Sequence, residues 1–241
     1  MWNLLISLAA AAAVTVGIGA FTGFGWAGAI IPGAIVFVAT YIVLFRRIMK
    51  RLEAVMAVMQ REAQSRKLDK AIQTMEGAFV LAPWQFLVAS QLHSNIGMLQ
   101  YFKEDFEAAA PHLEKSFSRH WIARGMLAAL RYRRKDVAGA RKVFEDAVAS
   151  NKKEGVLWAA YAWVLDKEGS RDDAMRILGR AVKVNPKDEK LQACLQTLQN
   201  GKKLKLGKLY EENWYQFKLE PPPQQLVGPG FRGNRRALYR G

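Results

Sequence analysis

Residues 155–188 read GVLWAAYAWVLDKEGSRDDAMRILGRAVKVNPKD, and they carry the most specific pattern in the chain. Bulky and small residues follow one another in a fixed order, around a glycine turn and before a closing proline: Trp158, Tyr161, Ala162, Leu165, Gly169, Ala174, Leu178, Ala181 and Pro186. Small residues at the crossing points allow two antiparallel helices to touch, while the larger ones fill the space between neighbouring helix pairs. The segment therefore predicts a helical hairpin that Pro186 ends.

Weaker copies of this pattern precede it along the chain. The nearest copy contains Leu127, Ala128, Ala140, Phe144 and Ala147, with Arg124 and Arg131 where aromatic residues are usual. Two earlier copies contain Ile96, Gly97, Ala109, Leu113 and Ser116, and then Ala71, Met75, Ala78 and Pro83. Over 46–188 the sequence thus resembles the tetratricopeptide repeat (TPR) family, which implies a short all-α solenoid. Residues 188–200 resemble the capping helix that covers the last repeat of such arrays.

The resemblance also implies where a partner binds, because TPR arrays hold peptides against the first helices of their repeats. Here that groove would contain Met98, Tyr101, Phe102, Ala129, Tyr132, Arg133 and Trp163. Its aromatic and basic side chains suit an extended or helical protein segment with bulky residues and some acidic ones. The alternative is that several of these aromatic residues pack between repeats, and the sequence leaves both interpretations open.

An uncharged region precedes the repeats, since residues 1–45 contain no Asp, Glu, Lys or Arg. The spans 2–21 and 26–45 each have about the 20 residues that a helix needs to cross a bilayer, and a glycine-rich turn separates them. We expect a transmembrane hairpin over 1–45, which also offers a surface for self-association. Small residues recur at every fourth position and predict the helix contact: Ala9, Ala13 and Gly17 in the first span, and Gly25, Ala29 and Gly33 in the second.

Positive charge directly after the second span predicts the orientation. Arg46, Arg47, Lys50 and Arg51 form a cluster of the kind that stays in the cytoplasm. Both termini and the repeats are then cytoplasmic, and we expect a bacterial inner membrane. An apolar face continues the helix over 46–67 and contains Leu52, Val55, Met56, Met59 and Ala63. The predicted organisation is a hairpin at 1–45, a juxtamembrane helix at 46–67, repeats with a capping helix at 68–200 and a tail at 201–241.

The tail carries much of the net charge of +15. Residues 202–241 contain nine basic and three acidic residues, and the prolines at 221–223 favour an extended backbone. Four arginines lie near its end, at Arg232, Arg235, Arg236 and Arg240. Such a basic, partly extended tail can bind nucleic acid or anionic lipid. Alternatively, its aromatic residues Tyr210, Trp214, Tyr215 and Phe217 fold back onto the array, and composition does not choose among the three.

Catalytic and metal-binding motifs do not stand out in the sequence. His93, His112 and His120 lack the spacing of metal ligands, and Cys194 is the single cysteine. We therefore expect no cofactor and no enzymatic activity. The sequence favours a membrane-anchored scaffold or adaptor that binds proteins at the cytoplasmic face of the membrane. The alternative function is a tether, in which the basic tail holds nucleic acid, a ribosome or anionic lipid at the membrane.

Overall fold

The computed structural model describes residues 1–21 and 25–223. Within those ranges helices joined by turns are the regular structure and no β-strand occurs, which confirms the predicted all-α class. It divides into two compact units, the first from Met1 to Phe117 and the second beginning at Ser118. The predicted turn at 22–24 and the tail after residue 223, with its four arginines, lie outside the described residues.

The first unit begins with two long apolar helices that pack on each other, α1 (Trp2–Phe21) and α2 (Gly25–Gln64). Both are long and apolar enough to cross a membrane. Ala29 and Gly33 of α2 are buried in the contact, and a Cβ at Gly33 would lie 3.2 Å from the carbonyl oxygen of Ala11. The prediction that Ala9 and Ala13 form the contact face of α1 is wrong, because both residues are exposed.

The contact face of α1 instead passes through Asn3, Ser7 and Thr15, which are polar. Ser7 and Thr15 donate hydrogen bonds to carbonyl oxygens one turn earlier in α1, at 2.7 and 2.9 Å. Their hydroxyl groups are therefore satisfied within the helix, which allows polar residues to occupy a close apolar contact.

The distal half of α2 forms the first helix pair with α3 (Leu68–Gly77). A 3₁₀ helix (Ala78–Leu81) and the turn 82–87 then lead to a second pair, α4 (Val88–Phe102) and α5 (Phe106–Glu114). One buried apolar cluster joins α2, α3, the 3₁₀ helix and α4 and includes Leu52, Met75, Leu92 and Ile96. Gly97 permits the close approach of α4 to α5, since a Cβ there would lie 2.9 Å from the side chain of Leu113.

The second unit contains two more helix pairs and a capping helix. The pairs are α6 (Trp121–Arg133) with α7 (Val137–Ser150), and α8 (Gly155–Lys167) with α9 (Arg171–Val184); α10 (Glu189–Gln199) packs on α8 and α9. Ala162, Ala174 and Ala181 are fully buried, as the repeat pattern predicts. Phe144 stacks on Tyr161 with ring centroids 5.2 Å apart. Small residues thus let the helices approach, and aromatic rings fill the remaining space.

The turns inside all four helix pairs share one backbone motif. Each contains a residue in the left-handed region: Arg66 (φ 59°), Glu104 (φ 69°), Lys135 (φ 63°) and Gly169 (φ 78°). In each, the N–H of the following residue donates to a carbonyl five residues earlier, as from Asp136 to Arg131 at 3.0 Å and from Ser170 to Leu165 at 2.9 Å. These bonds satisfy carbonyl groups at the end of the first helix and turn the chain into the second.

The tail does not extend away from the array over its first part. Two short helices, α11 (Leu206–Tyr210) and α12 (Glu212–Tyr215), pack against α8. Of the three outcomes that composition left open, the structure adopts the fold-back for residues 204–217. Their apolar side chains are buried: Leu204, Leu206, Tyr210, Trp214 and Phe217.

Candidate partner-binding face

The first helices of the two repeats in the second unit form one surface, which we call the first-helix face (Trp121, Gly125, Tyr132 and Trp163). Its side chains come from α6 and α8, which contact each other directly. The rings of Tyr132 and Trp163 meet edge to face with centroids 6.2 Å apart. Gly125 leaves a gap among these larger residues, because it has no side chain to fill the space above α6.

Residues 204–220, the tail segment, occupy this face. The Trp214 ring packs against Trp163 with centroids 5.2 Å apart, and the Phe217 ring packs against Trp121 at 6.3 Å. A Cβ at Gly125 would lie 2.8 Å from Cζ of Phe217, so the phenyl ring fills the gap that the glycine leaves. Trp214 is 0% and Phe217 1% exposed, which makes both rings part of the core of the second unit.

Polar contacts fix the end of the tail segment. The guanidinium of Arg133 donates to the carbonyl oxygen of Lys218 at 3.2 Å. The indole N–H of Trp214 donates to the carboxylate of Glu220 at 2.9 Å. Lys167 places its ammonium group 5.0 Å from the centre of the Trp163 ring. The face therefore combines aromatic packing with cationic groups that can bind backbone carbonyls.

The surroundings of Tyr132 favour the neutral, protonated form of its phenol. Burial raises the pKa of Tyr132 to about 12, and the hydrogen bond and negative charge of Glu168 act in the same direction. The phenol is therefore protonated at neutral pH and can donate to the carboxylate of Glu168 at the end of α8.

The predicted groove residues divide between the two units. In the second unit, Tyr132, Arg133 and Trp163 lie together at the first-helix face, and the tail segment contacts Trp163 and Arg133 there. In the first unit, Met98 is half-buried and Phe102 is 42% exposed. Tyr101 is fully buried, with its ring 5.1 Å from that of Phe106.

Two histidines that the sequence treated separately meet in the first unit. Nδ1 of His93 lies 3.1 Å from Nδ1 of His112, and the Phe79 ring packs on His93 at 4.9 Å. Burial lowers the pKa of both histidines, and the Lys115 charge lowers it further. The two histidines are 19 residues apart and lie on different helices of a pair, so no sequence motif predicted their contact. No group of three or more His, Cys, Asp or Glu side chains is placed to hold a metal ion among residues 1–21 and 25–223.

His120 performs a structural role at the start of α6. Its Nδ1 accepts a hydrogen bond from the N–H of Ala123 at 3.4 Å and so caps the helix. An imidazole nitrogen can accept only when it is unprotonated, and burial lowers the pKa of His120, which favours that form. Cys194 is equally structural: it is fully buried, and burial raises the pKa of its thiol to about 12.

The sequence model of the tetratricopeptide repeat matches residues 131–198, which include the end of α6 and the elements α7 to α10. Two crystal structures of MamA resemble the chain with a TM-score of 0.48 and 15% sequence identity each. The first covers 67% of this chain and 91% of its own, and the second covers 69% and 87%. No curated protein matches the sequence. The sequence match, together with the buried alanines at the crossings of α8 and α9, shows tetratricopeptide repeats within residues 131–198 of the chain.

Proposed function

We propose that the protein is a membrane-anchored adaptor whose repeats bind a protein partner at the cytoplasmic face of a bacterial inner membrane. The observation that carries this proposal is the occupied first-helix face. There α6 and α8 hold a short segment through two aromatic side chains three residues apart, Trp214 and Phe217. A surface that binds a segment of its own chain in this way has the chemistry to bind a similar segment from another protein.

The partner's chemistry follows from the contacts that the tail segment makes. It carries an aromatic pair with the spacing of Trp214 and Phe217, because those rings fill the space beside Trp163 and above Gly125. It also presents backbone carbonyls or carboxylates to Arg133. Such a partner competes with the tail segment for the same face.

The anchor part of the proposal is supported by the exposure of the two apolar helices. Only 6% of the most apolar window of α1 and 11% of that of α2 are buried. A core helix of a soluble protein would be mostly buried, because exposed apolar surface costs about 25 cal/mol per Å² in water. Lipid is the solvent that suits these side chains.

A cleaved signal sequence explains α1 less well. The helix packs along α2, and its first two N–H groups donate to Pro83 and Trp84 at 2.9 and 3.3 Å. Its removal would expose the α2 contact at Ala29 and Gly33 and leave those carbonyl groups without these donors. We infer that α1 is a retained membrane helix.

Cysteine labelling of intact cells tests the orientation. Phe21 is 90% exposed at the end of α1, and Ser150 is exposed at the end of α7. We expect Phe21→Cys to react with a membrane-impermeant maleimide added outside the inner membrane, and Ser150→Cys to react only after the cells are opened. Wild-type protein is the control, because its single cysteine, Cys194, is buried with a thiol pKa of about 12. Labelling of Ser150→Cys from outside would contradict the proposed topology and place the repeats on the opposite side of the membrane.

A peptide supplied in trans tests the binding face. A fluorescent peptide of residues 204–220 should bind a full-length Trp214→Ala/Phe217→Ala variant in detergent, because that variant has emptied its own site. The wild-type protein should bind the same peptide at least about tenfold more weakly, which corresponds to about 1.4 kcal/mol. Fluorescence anisotropy measures both affinities, and circular dichroism checks that the variant keeps its helices.

The matched control is the same peptide with alanine at positions 214 and 217, which should not bind either protein. Equal binding of the two peptides by the variant would show that the aromatic pair does not carry recognition. A folded variant that binds neither peptide would refute the face as a peptide-binding site.

A further inference from the structure

The turn 82–87 in the first unit is fixed to the start of the first apolar helix. The N–H of Trp2 donates to the carbonyl of Pro83 at 2.9 Å, and the N–H of Asn3 donates to that of Trp84 at 3.3 Å. The first N–H groups of any helix lack partners inside the helix. The turn supplies carbonyl oxygens to two of these groups, so its backbone lies at the level where α1 begins.

Side-chain hydrogen bonds attach the same turn to both apolar helices. Nδ2 of Asn3 donates to Oε1 of Gln85 at 3.1 Å, and Nε2 of Gln85 donates to the hydroxyl of Tyr41 at 3.3 Å. Gln85 therefore bridges α1 and α2. Tyr41 precedes Arg46, the first charged residue of the chain, by little more than one helical turn. The turn thus lies beside the start of α1 and beside the part of α2 where the charged residues begin.

Apolar side chains in this turn and in the 3₁₀ helix before it are exposed. Val80 is 72% exposed, Phe86 63% and Trp84 37%; we call these three residues the turn surface. Single exposed apolar residues are common on soluble proteins. Three within seven residues, beside the start of one membrane-length helix, suit the boundary where membrane proteins cross the lipid headgroups, and Trp84 is of a type enriched there.

We propose that the turn surface is a third membrane contact, in which Val80, Trp84 and Phe86 lie in the boundary between headgroups and acyl chains of the leaflet at the charged end of α1 and α2. This inference rests on the proposed membrane anchor. The partner is a phospholipid surface. Arg46, Arg47 and Lys50 of α2 attract anionic headgroups to the same level.

The dimensions of α1 agree with this depth. A helix from Trp2 to Phe21 is about 30 Å long, which is the thickness of the hydrocarbon core. With Phe21 at one boundary, Trp2 lies at the other, and the hydrogen bonds place Pro83 and Trp84 beside it. Side chains of an interfacial segment enter the bilayer by about 5–10 Å, which is the depth that the proposal assigns to Val80 and Phe86.

Three exposed valines of the first unit make a matched test. Val80 belongs to the turn surface, Val38 lies in the apolar part of α2, and Val58 lies on the same helix beyond the charges. Each is replaced by cysteine in the full-length protein, labelled with bimane and reconstituted in vesicles of phosphatidylethanolamine and phosphatidylglycerol. Quenching by brominated acyl chains and by aqueous iodide is then measured, with Phe86→Cys as a second position in the turn surface.

We expect the Val80 and Phe86 probes to be quenched by brominated lipid and to lose iodide quenching and shift to shorter wavelength relative to the Val58 probe. The Val38 probe reports the anchor itself, and its failure to be quenched by lipid would refute the proposed function. Lipid quenching at Val38 but not at Val80 and Phe86 would overturn this inference alone. Protection of the turn probes from iodide without lipid quenching would also overturn it, because a protein surface would then cover the turn.

Discussion

At the scale of single residues, Gly125 decides whether the tail segment can lie on the first-helix face. A Cβ at this position would be 2.8 Å from Cζ of Phe217 and 3.3 Å from Cδ1 of Leu157. The glycine has no unusual backbone angle and lies inside a helix, where glycine costs about 1 kcal/mol relative to alanine. The space that it leaves for an aromatic ring offsets this cost.

Gly125→Ala should therefore displace the Phe217 ring and lose stability in spite of the higher helix propensity of alanine. Gly179→Ala in α9 is the matched control, because a Cβ there meets no atom within 4 Å. We expect the control to gain up to about 1 kcal/mol in the free energy of unfolding, and Gly125→Ala to unfold more easily than wild type. Denaturation followed by circular dichroism measures both, and an equal gain in the two variants would mean that Phe217 does not occupy the gap.

At the scale of elements, the turns of the four helix pairs each contain one left-handed residue. Only one of these four residues is a glycine. Gly169 adopts φ 78° without steric cost, whereas Lys135 adopts φ 63° with a side chain. The sequence pattern contained Gly169 and so predicted the best repeat. Arg66, Glu104 and Lys135 adopt the same conformation because the flanking hydrogen bonds and helix packing impose it, which explains why the other repeats were harder to recognise.

Introducing a glycine in one of these turns should raise the stability of the protein, and replacing the existing glycine should lower it. Lys135→Gly removes the strain of the left-handed conformation but adds chain entropy to the unfolded state, so we expect a gain on the order of 0.5 kcal/mol. Gly169→Ala should lose about 1 kcal/mol, because alanine disfavours φ 78°. Urea unfolding of the full-length protein in detergent measures both variants. A loss of stability in Lys135→Gly would show that its side chain contributes more than the strain costs.

Local patterns predicted the elements better than the contacts between distant ones. The alanines of 155–188 are buried where the repeat spacing places them, because helix crossings depend on residues a few positions apart. The tail segment could not be placed, because Phe217 fits a gap above Gly125, 92 residues earlier in the chain. The meeting of His93 and His112 likewise depends on how α4 packs on α5, and the two residues are 19 positions apart.

At the scale of the whole molecule, the proposed function makes the tail segment a tethered competitor of any partner that binds the first-helix face. A segment on a short flexible link has an effective concentration of about 1 mM near its own site. A partner with the same intrinsic affinity, present at about 1 μM, would then occupy roughly one face in a thousand. Confinement of both proteins to one membrane raises the partner's local concentration and its share of the site. Anchoring and self-occupancy together would therefore select partners that reach the same membrane surface and exclude those that diffuse freely.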